Sequence, residues 1–269
     1  MNRITECFKA LDAQKRTALI PFITAGDPDP SVTVPLMHAL VKAGADMIEL
    51  GIPFSDPMAD GPIIQRASER ALAAGTSLQD VLKIVRNFRE HDHTTPIVLM
   101  GYLNPIEIMG YLHFSQAAES AQVDGVLVVD LPPEEAGDLS TFLRSHAISP
   151  IFLLAPTTTP ERIKRICTQA NGYLYYVSVK GVTGSSHLEV NEVAKKIDEI
   201  RRYTHLPIGV GFGIKDAYTA QQVARISNAV IVGSALVQRI ETVAREKLLE
   251  VVPGFLHELR LAIDAPQRT

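Results

Sequence analysis

The chain has 269 residues, 46% of them hydrophobic and 21% charged, with a formal net charge of −4. That composition is ordinary for a globular chain with a sizeable core, and it leaves no electrostatic footprint for nucleic acid. No apolar run is long enough to span a bilayer and the N-terminal stretch lacks a signal-peptide pattern, so a cytoplasmic location is expected.

In chain order, MNRITECFKALDAQKR reads as an amphipathic helix. Short apolar runs then recur: ALIPFIT (18 to 24), DMIEL (46 to 50), PIVLMGY (96 to 102), DGVLVVD (124 to 130), PIFLLA (150 to 155), YLYYVSV (173 to 179), PIGVGFG (207 to 213) and AVIVGS (229 to 234). Their near-continuous hydrophobicity is that of strands buried on both faces. Segments between them, such as 77 to 90 and 190 to 203, repeat apolar residues at helical spacing. Strand then helix, eight times, predicts an α/β fold: a single (β/α)8 TIM barrel over residues 1 to 269. The N-terminal helix is an extra element capping the barrel floor, and 243 to 263 supplies the last outer helix, bent near Pro253. Cys7 and Cys167 are isolated, so neither a disulfide framework nor a zinc site is indicated. His91, Asp92 and His93 precede Pro96 and read as a solvated turn, and no metal is assigned.

In such a barrel, chemistry belongs to the loops after the strands. IELGIPFSDPMADG, from Ile48 to Gly61, follows the second strand and carries two acids. Alternation puts Glu49 on the face opposite Ile48 and Leu50, together with Met47. A carboxyl among apolar neighbours loses hydration, which raises its pKa and lets it carry or accept a proton near neutrality. Asp60, eleven residues on, is placed to close over it from a Pro/Gly-rich loop. A structural Glu paired to a buried Arg is the plain alternative, and the long loop favours chemistry over it. After the sixth, seventh and eighth strands come VKGVTGSSH, GFGIKD and GSA. Their glycines let backbone N–H groups approach an anion, and a helix starting near Ser234 aims its positive end at it, so a phosphorylated ligand is expected. GVGFG lacks the spacing of a dinucleotide fingerprint.

IELGIPFSDPMADGP, with PFITAGDP (21 to 28), YLNPI (102 to 106), VVDLPPEE (128 to 135), GVTG (181 to 184) and GFGI (211 to 214) in the same order, resembles the tryptophan synthase alpha subunit family along essentially the whole chain. The resemblance implies a lyase that cleaves indole-3-glycerol phosphate to indole and glyceraldehyde 3-phosphate. It implies a beta subunit partner in an alpha2beta2 heterotetramer, with pyridoxal phosphate in that partner and no cofactor in this chain. It makes Glu49 the general acid/base, protonating indole C3 and taking the side-chain hydroxyl proton, and Asp60 the stabiliser of the indole nitrogen. Gly184, Gly213, Gly233 and Ser234 match the phosphate-binding positions, the last two through GSA alone, because SNAVIVGSA is a residue shorter than in relatives. Phe22, Met100, Leu127, Tyr175 and Phe212 fall where they could form an apolar slot for the indole ring. Thr183 matches the residue that reaches Asp60 when the loop after the sixth strand closes. Pro53, Phe54, Asp56 and Pro57, with Asn104 and Pro132, match positions facing the beta subunit, and Lys180 has no assigned role. A barrel that only activates a partner, another phosphate-binding barrel enzyme such as an isomerase or decarboxylating synthase of the same pathway, and a freestanding indole-releasing lyase are the competing readings. Retention of both Glu49 and Asp60 speaks against the first.

Overall fold

Segments rich in Val, Ile and Leu that are apolar on both faces can hide only inside a sheet covered on both sides. The computed structural model describes residues 2–177, 186–211 and 213–265, over 186–189 in backbone only. Eight parallel strands close on themselves in chain order: β1 (Ala18–Thr24), β2 (Ile48–Gly51), β3 (Ile97–Gly101), β4 (Gly125–Val128), β5 (Ser149–Leu154), β6 (Leu174–Val177), β7 (Ile208–Gly211) and β8 (Ala229–Val232). β8 pairs back onto β1 through Ala18–Ala229 and Ile20–Ile231. Each expected strand is present: β1 has the expected bounds, and no end of the others moves by more than two residues. β3 begins at Ile97 because Pro96 has no N–H to donate. Asp46 lies before β2, where its carboxylate accepts from Leu19 N and pairs with Arg260.

Helix α1 (Arg3–Ala13) precedes the barrel and α2 (Pro30–Lys42) follows β1. Two helices, α3 (Pro62–Ala73) and α4 (Leu78–Arg89), follow β2, and two more, α5 (Leu103–Met109) and α6 (Tyr111–Ser120), follow β3. The simple strand-then-helix repeat is thus embellished. Gly75 and Gly110, both at positive φ, break these pairs where a Cβ would be strained. Then come α7 (Gly137–Ser145), α8 (Pro160–Gln169), α9 (Ser186–Arg201), α10 (Ala217–Ala224), α11 (Ser234–Thr242) and α12 (Leu248–Asp264). Starts follow local chemistry: Ser77 and Asp80 form a capping box on α4, and Thr159 caps α8 ahead of Pro160. The last helix begins five residues later than expected, because Val243 and Ala244 are extended and Arg245–Lys247 form a 3₁₀ turn. Pro253 lies inside α12.

Two apolar layers result. Ile48, Leu50, Leu99 and Val210 face outward to the helices, while Met47, Val98, Leu127, Ile151, Tyr173 and Ile231 fill the barrel interior. α1 closes the floor, with Ile4, Phe8 and Leu11 buried in the interior layer and the Phe8 ring 5.9 Å from that of Tyr173. Burying side chains of that size stabilises by roughly 1.5–3 kcal/mol each, which fixes this helix as a plug. Among the described residues, no helix is long and apolar enough to cross a membrane.

Candidate active site

The strand alternation that sends Ile48 and Leu50 outward turns Glu49 into the barrel, where Phe22 of β1 and Val98 of β3 are its register partners. Glu49 has no exposed surface. Its Oε1 accepts a 2.5 Å hydrogen bond from the Tyr173 phenol, and Oε2 has no hydrogen-bond partner among the described residues. The structural alternative of an Arg partner is not what is built: the buried Arg89 and Arg260 pair with Asp124 and Asp46 instead. Burial pushes the Glu49 pKa from 4.5 up to about 8, and the Tyr173 hydrogen bond pulls against that rise. A carboxyl so placed holds a proton at neutral pH and can give it up.

Above it, at the C-terminal rim, a cavity of about 520 Å³ is lined by Phe22, Met100, Tyr175, Asp60, Gly213, Gly233 and Ser234, among others. Asp60 sits at its edge, just ahead of α3. Its backbone is held by Asp60 N donating to Pro57 O and by the Gln65 amide donating to Asp60 O. Its Oδ2 accepts a 3.0 Å hydrogen bond from Tyr102. Burial raises the Asp60 pKa, and the Tyr102 bond lowers it. Tyr175 feels both acids: burial, then Glu49, then Asp60 push its phenol well above the ordinary range. The two carboxyls do not share a site as a bonded pair. Asp60 lines the cavity, whereas Glu49 lies beneath its floor, each held by its own tyrosine.

Space for these rings comes from glycine. A Cβ on Gly51 would fall 2.7 Å from Phe22 Cζ, and one on Gly211 would collide with the Tyr175 phenol. At the far side of the cavity Gly233 is the N-cap of α11, and Leu236 N and Val237 N bond back to its carbonyl. The Ser234 and Ala235 N–H groups in that first turn have no intrahelical acceptor, and the helix dipole adds positive potential there. Gly213 and Lys215 line the same cavity. The arrangement is an apolar slot with a carboxylate at one end, an anion cradle at the other and a protonatable carboxyl below.

Of the residues expected from sequence, Phe22, Met100, Tyr175, Asp60, Gly213, Gly233 and Ser234 come together around this cavity. Thr183, Gly184, Phe212 and Lys180 lie outside the described residues. Leu127 belongs to the layer beneath: it is wholly buried in the interior, and Val129, two residues on, lines the cavity instead. On the partner side, Pro53 is buried rather than presented, Phe54, Pro57 and Pro132 are half-buried, and Asp56 and Asn104 are exposed. Sequence reasoning missed Val129, Leu153, Val177 and Ile231; Val129, Val177 and Ile231 share strand parity with Leu127, Tyr175 and Gly233, which it did find, whereas it named no residue on β5. It also missed Met58 and Ile108, which are 82% and 80% exposed on the loop after β2 and on α5. Asp92 is engaged by the Thr94 and Thr95 N–H groups and the Thr95 hydroxyl, as a turn requires.

The family model described as tryptophan synthase alpha chain matches residues 8–255. The chain is 57% identical over 269 residues to the tryptophan synthase alpha chain of Nitrosococcus oceani, covering 99% of each. It is 60% identical over 266 residues to that of Thioalkalivibrio sulfidiphilus, covering 98% of this chain and 100% of the relative. Among solved structures, tryptophan synthase subunit alpha from Legionella pneumophila superposes with a TM-score of 0.92 at 49% identity, covering 98% of this chain and 99% of that one.

Proposed function

The chain belongs to the tryptophan synthase alpha chain family, and on that premise we propose that Glu49 and Asp60 are its catalytic acids. The reaction is cleavage of indole-3-glycerol phosphate to indole and glyceraldehyde 3-phosphate, which makes the protein a carbon–carbon lyase. It needs no cofactor of its own and works in complex with a beta subunit that holds pyridoxal phosphate and receives the indole. We further propose a single domain over residues 1 to 269, a cytoplasmic location and an alpha2beta2 assembly.

The observation that carries the assignment is the Glu49 carboxyl, fully buried below the cavity with its proton retained up to about pH 8. A retro-aldol needs an electron sink, and C3 protonation turns the indole into an iminium-like one. Glu49 gives its proton to C3. As a carboxylate it then takes the proton of the side-chain hydroxyl beside the ring, while the carbon–carbon bond breaks and its electron pair returns to the indole. The proton count closes on one residue. Asp60 at the cavity edge, acting as a carboxylate, stabilises the positive charge that develops on the ring nitrogen. Phe22, Met100 and Tyr175, with Phe212, flank the ring, and Leu127 supports the slot from below. Backbone amides at Gly184, Gly213, Gly233 and Ser234 hold the phosphate, and Thr183 closes onto Asp60. The beta subunit docks on Phe54, Asp56, Pro57, Asn104 and Pro132, with Pro53 shaping that loop from within.

Indole release from indole-3-glycerol phosphate by the purified chain, with and without a beta subunit, tests the reading. The chain contains no Trp, so indole fluorescence has little protein background. Asp60→Asn is expected to lower turnover, because a neutral amide leaves the ring charge unopposed; a variant as fast as the parent would make Asp60 structural. Tyr173→Phe deletes a donor that favours the Glu49 carboxylate, so the Glu49 pKa rises further. Because the protonated acid starts the reaction, the alkaline limb of the kcat profile moves to higher pH. An unmoved limb in that variant would separate Tyr173 from the titrating group.

A further inference from the structure

We propose that Tyr102 is a positioning residue that couples Phe54 of the loop after β2 to the Asp60 carboxylate, so that a partner docking on that loop sets the aim of Asp60. The proposal rests on the reading of Asp60 as a catalytic acid and of Phe54 as partner-facing. Tyr102 follows β3 and is the N-cap of α5, so it belongs to a different element from the loop it touches. Its ring stacks on Phe54, with centroids 5.0 Å apart and planes 24° from parallel. Its hydroxyl accepts from Ala59 N at 3.0 Å and donates to Asp60 Oδ2 at 3.0 Å. One side chain thereby clamps the loop at residues 54, 59 and 60.

The other contacts of Asp60 act on its backbone: Asp60 N on Pro57 O, and the Gln65 amide on Asp60 O. Among the described residues, the hydrogen bond that fixes the direction of the carboxylate is the one from Tyr102. That donor is permanent at working pH. Tyr102 is buried, and burial with the nearby carboxylates of Asp60 and Asp130 keeps its phenol protonated. Leu103 N donating to Asp130 Oδ1 at 2.9 Å holds the base of the lever. Phe54 is only half-buried and the next two residues, Ser55 and Asp56, are exposed, which leaves this part of the loop accessible to a docking surface. A partner that presses on Phe54 tilts the Tyr102 ring, and the hydroxyl at its far end carries Asp60 with it. Hydrogen-bond strength falls steeply with angle, so a small tilt is enough to redirect the carboxylate. The shift can be no larger than the partner's differential affinity for the two loop states.

A residue that aims a catalytic group affects the reacting complex more than substrate binding. Turnover of indole-3-glycerol phosphate is measured for the parent, Tyr102→Phe, Phe54→Leu, the double variant and Asp60→Asn, each with and without a beta subunit. Thermal melts accompany them so that rates refer to folded protein. Tyr102→Phe keeps the ring and loses only the hydroxyl; kcat falls about tenfold with KM within about twofold, and activation by the partner shrinks. Phe54→Leu lowers the same activation ratio, and the double variant goes no lower than Tyr102→Phe alone, because both act through one lever. Parental kcat and activation in Tyr102→Phe, or independent multiplicative losses in the double variant, overturn the coupling. If Asp60→Asn is slow while Tyr102→Phe is unaffected, the coupling alone fails. If Asp60→Asn runs at the parental rate, the reading of Asp60 fails and the coupling falls with it.

Discussion

Glu49→Gln lowers turnover of indole-3-glycerol phosphate by about 10²–10⁴ while substrate binding survives, the usual worth of a general acid/base group. The amide keeps the shape of the side chain and can still accept from the Tyr173 phenol, but it has no proton to deliver to C3 and cannot take one from the hydroxyl. The same substitution changes how stability depends on pH, a readout independent of activity. The Glu49 carboxyl ionises near 4.5 when free of the fold and near 8 within it. Across that window the folded chain keeps a proton that the unfolded chain has released. The stability this group contributes is therefore whole below 4.5, declines as pH rises, and is gone above about 8. An amide in its place has nothing to titrate, so the Glu49→Gln variant escapes that decline. Urea midpoints measured below and above the window should show the variant gaining on the parent by several kcal/mol as pH rises. Turnover within about threefold of the parent at saturating substrate would remove Glu49 from the chemistry.

The barrel was legible because its strands are short, apolar on both faces and separated by helical spacing. That pattern survives even where the structure adds a helix, as between β2 and β3, since two helices broken by Gly75 bury apolar stripes of the same period as one. Glu49 was legible for a local reason: an acid inside an apolar strand is costly unless it is used or paired. Its partner was not, because Tyr173 is 124 residues away in sequence and only barrel closure brings it near. Depth along the barrel axis was likewise hidden. Leu127 has the right parity, but the floor of the cavity lies one alternation above it, at Val129, and strand register is set by neighbours that no single segment encodes. Tyr102 stood in the sequence only as part of YLNPI; its hold on Asp60 spans two elements. Pro53 was expected at the partner face through the family match alone, yet it is packed inward at the start of its loop, a depth the local sequence does not encode.

Gly213→Asp weakens binding of glycerol phosphate at least about thirty-fold. A carboxylate and a phosphate dianion roughly 4 Å apart repel by about 2 kcal/mol even at the dielectric constant of water, and by more in a partly enclosed cavity. Gly213 is exposed and lines the cavity that Gly233 and the first turn of α11 also line. It is followed by Ile214, which is buried and anchors the segment, and then by the capping box of Asp216 and Thr219 on α10. A side chain at 213 is therefore added at the cavity wall without uprooting the segment behind it. Size and charge must still be told apart. Gly213→Asn adds nearly the same volume with no charge, so the ratio of the two dissociation constants isolates the Coulomb part. That part is screened by salt, and the Asp-to-Asn ratio should shrink as ionic strength rises through physiological values, where the Debye length is about 8 Å. Calorimetric titration of each variant with glycerol phosphate at low and high salt makes the measurement. Equal, salt-independent losses in the two variants would mean that steric blockage alone is at work. Parental affinity in both would place the phosphate away from the rim that Gly213, Gly233 and Ser234 form, and with it the end of the slot from which the indole ring is oriented over Glu49.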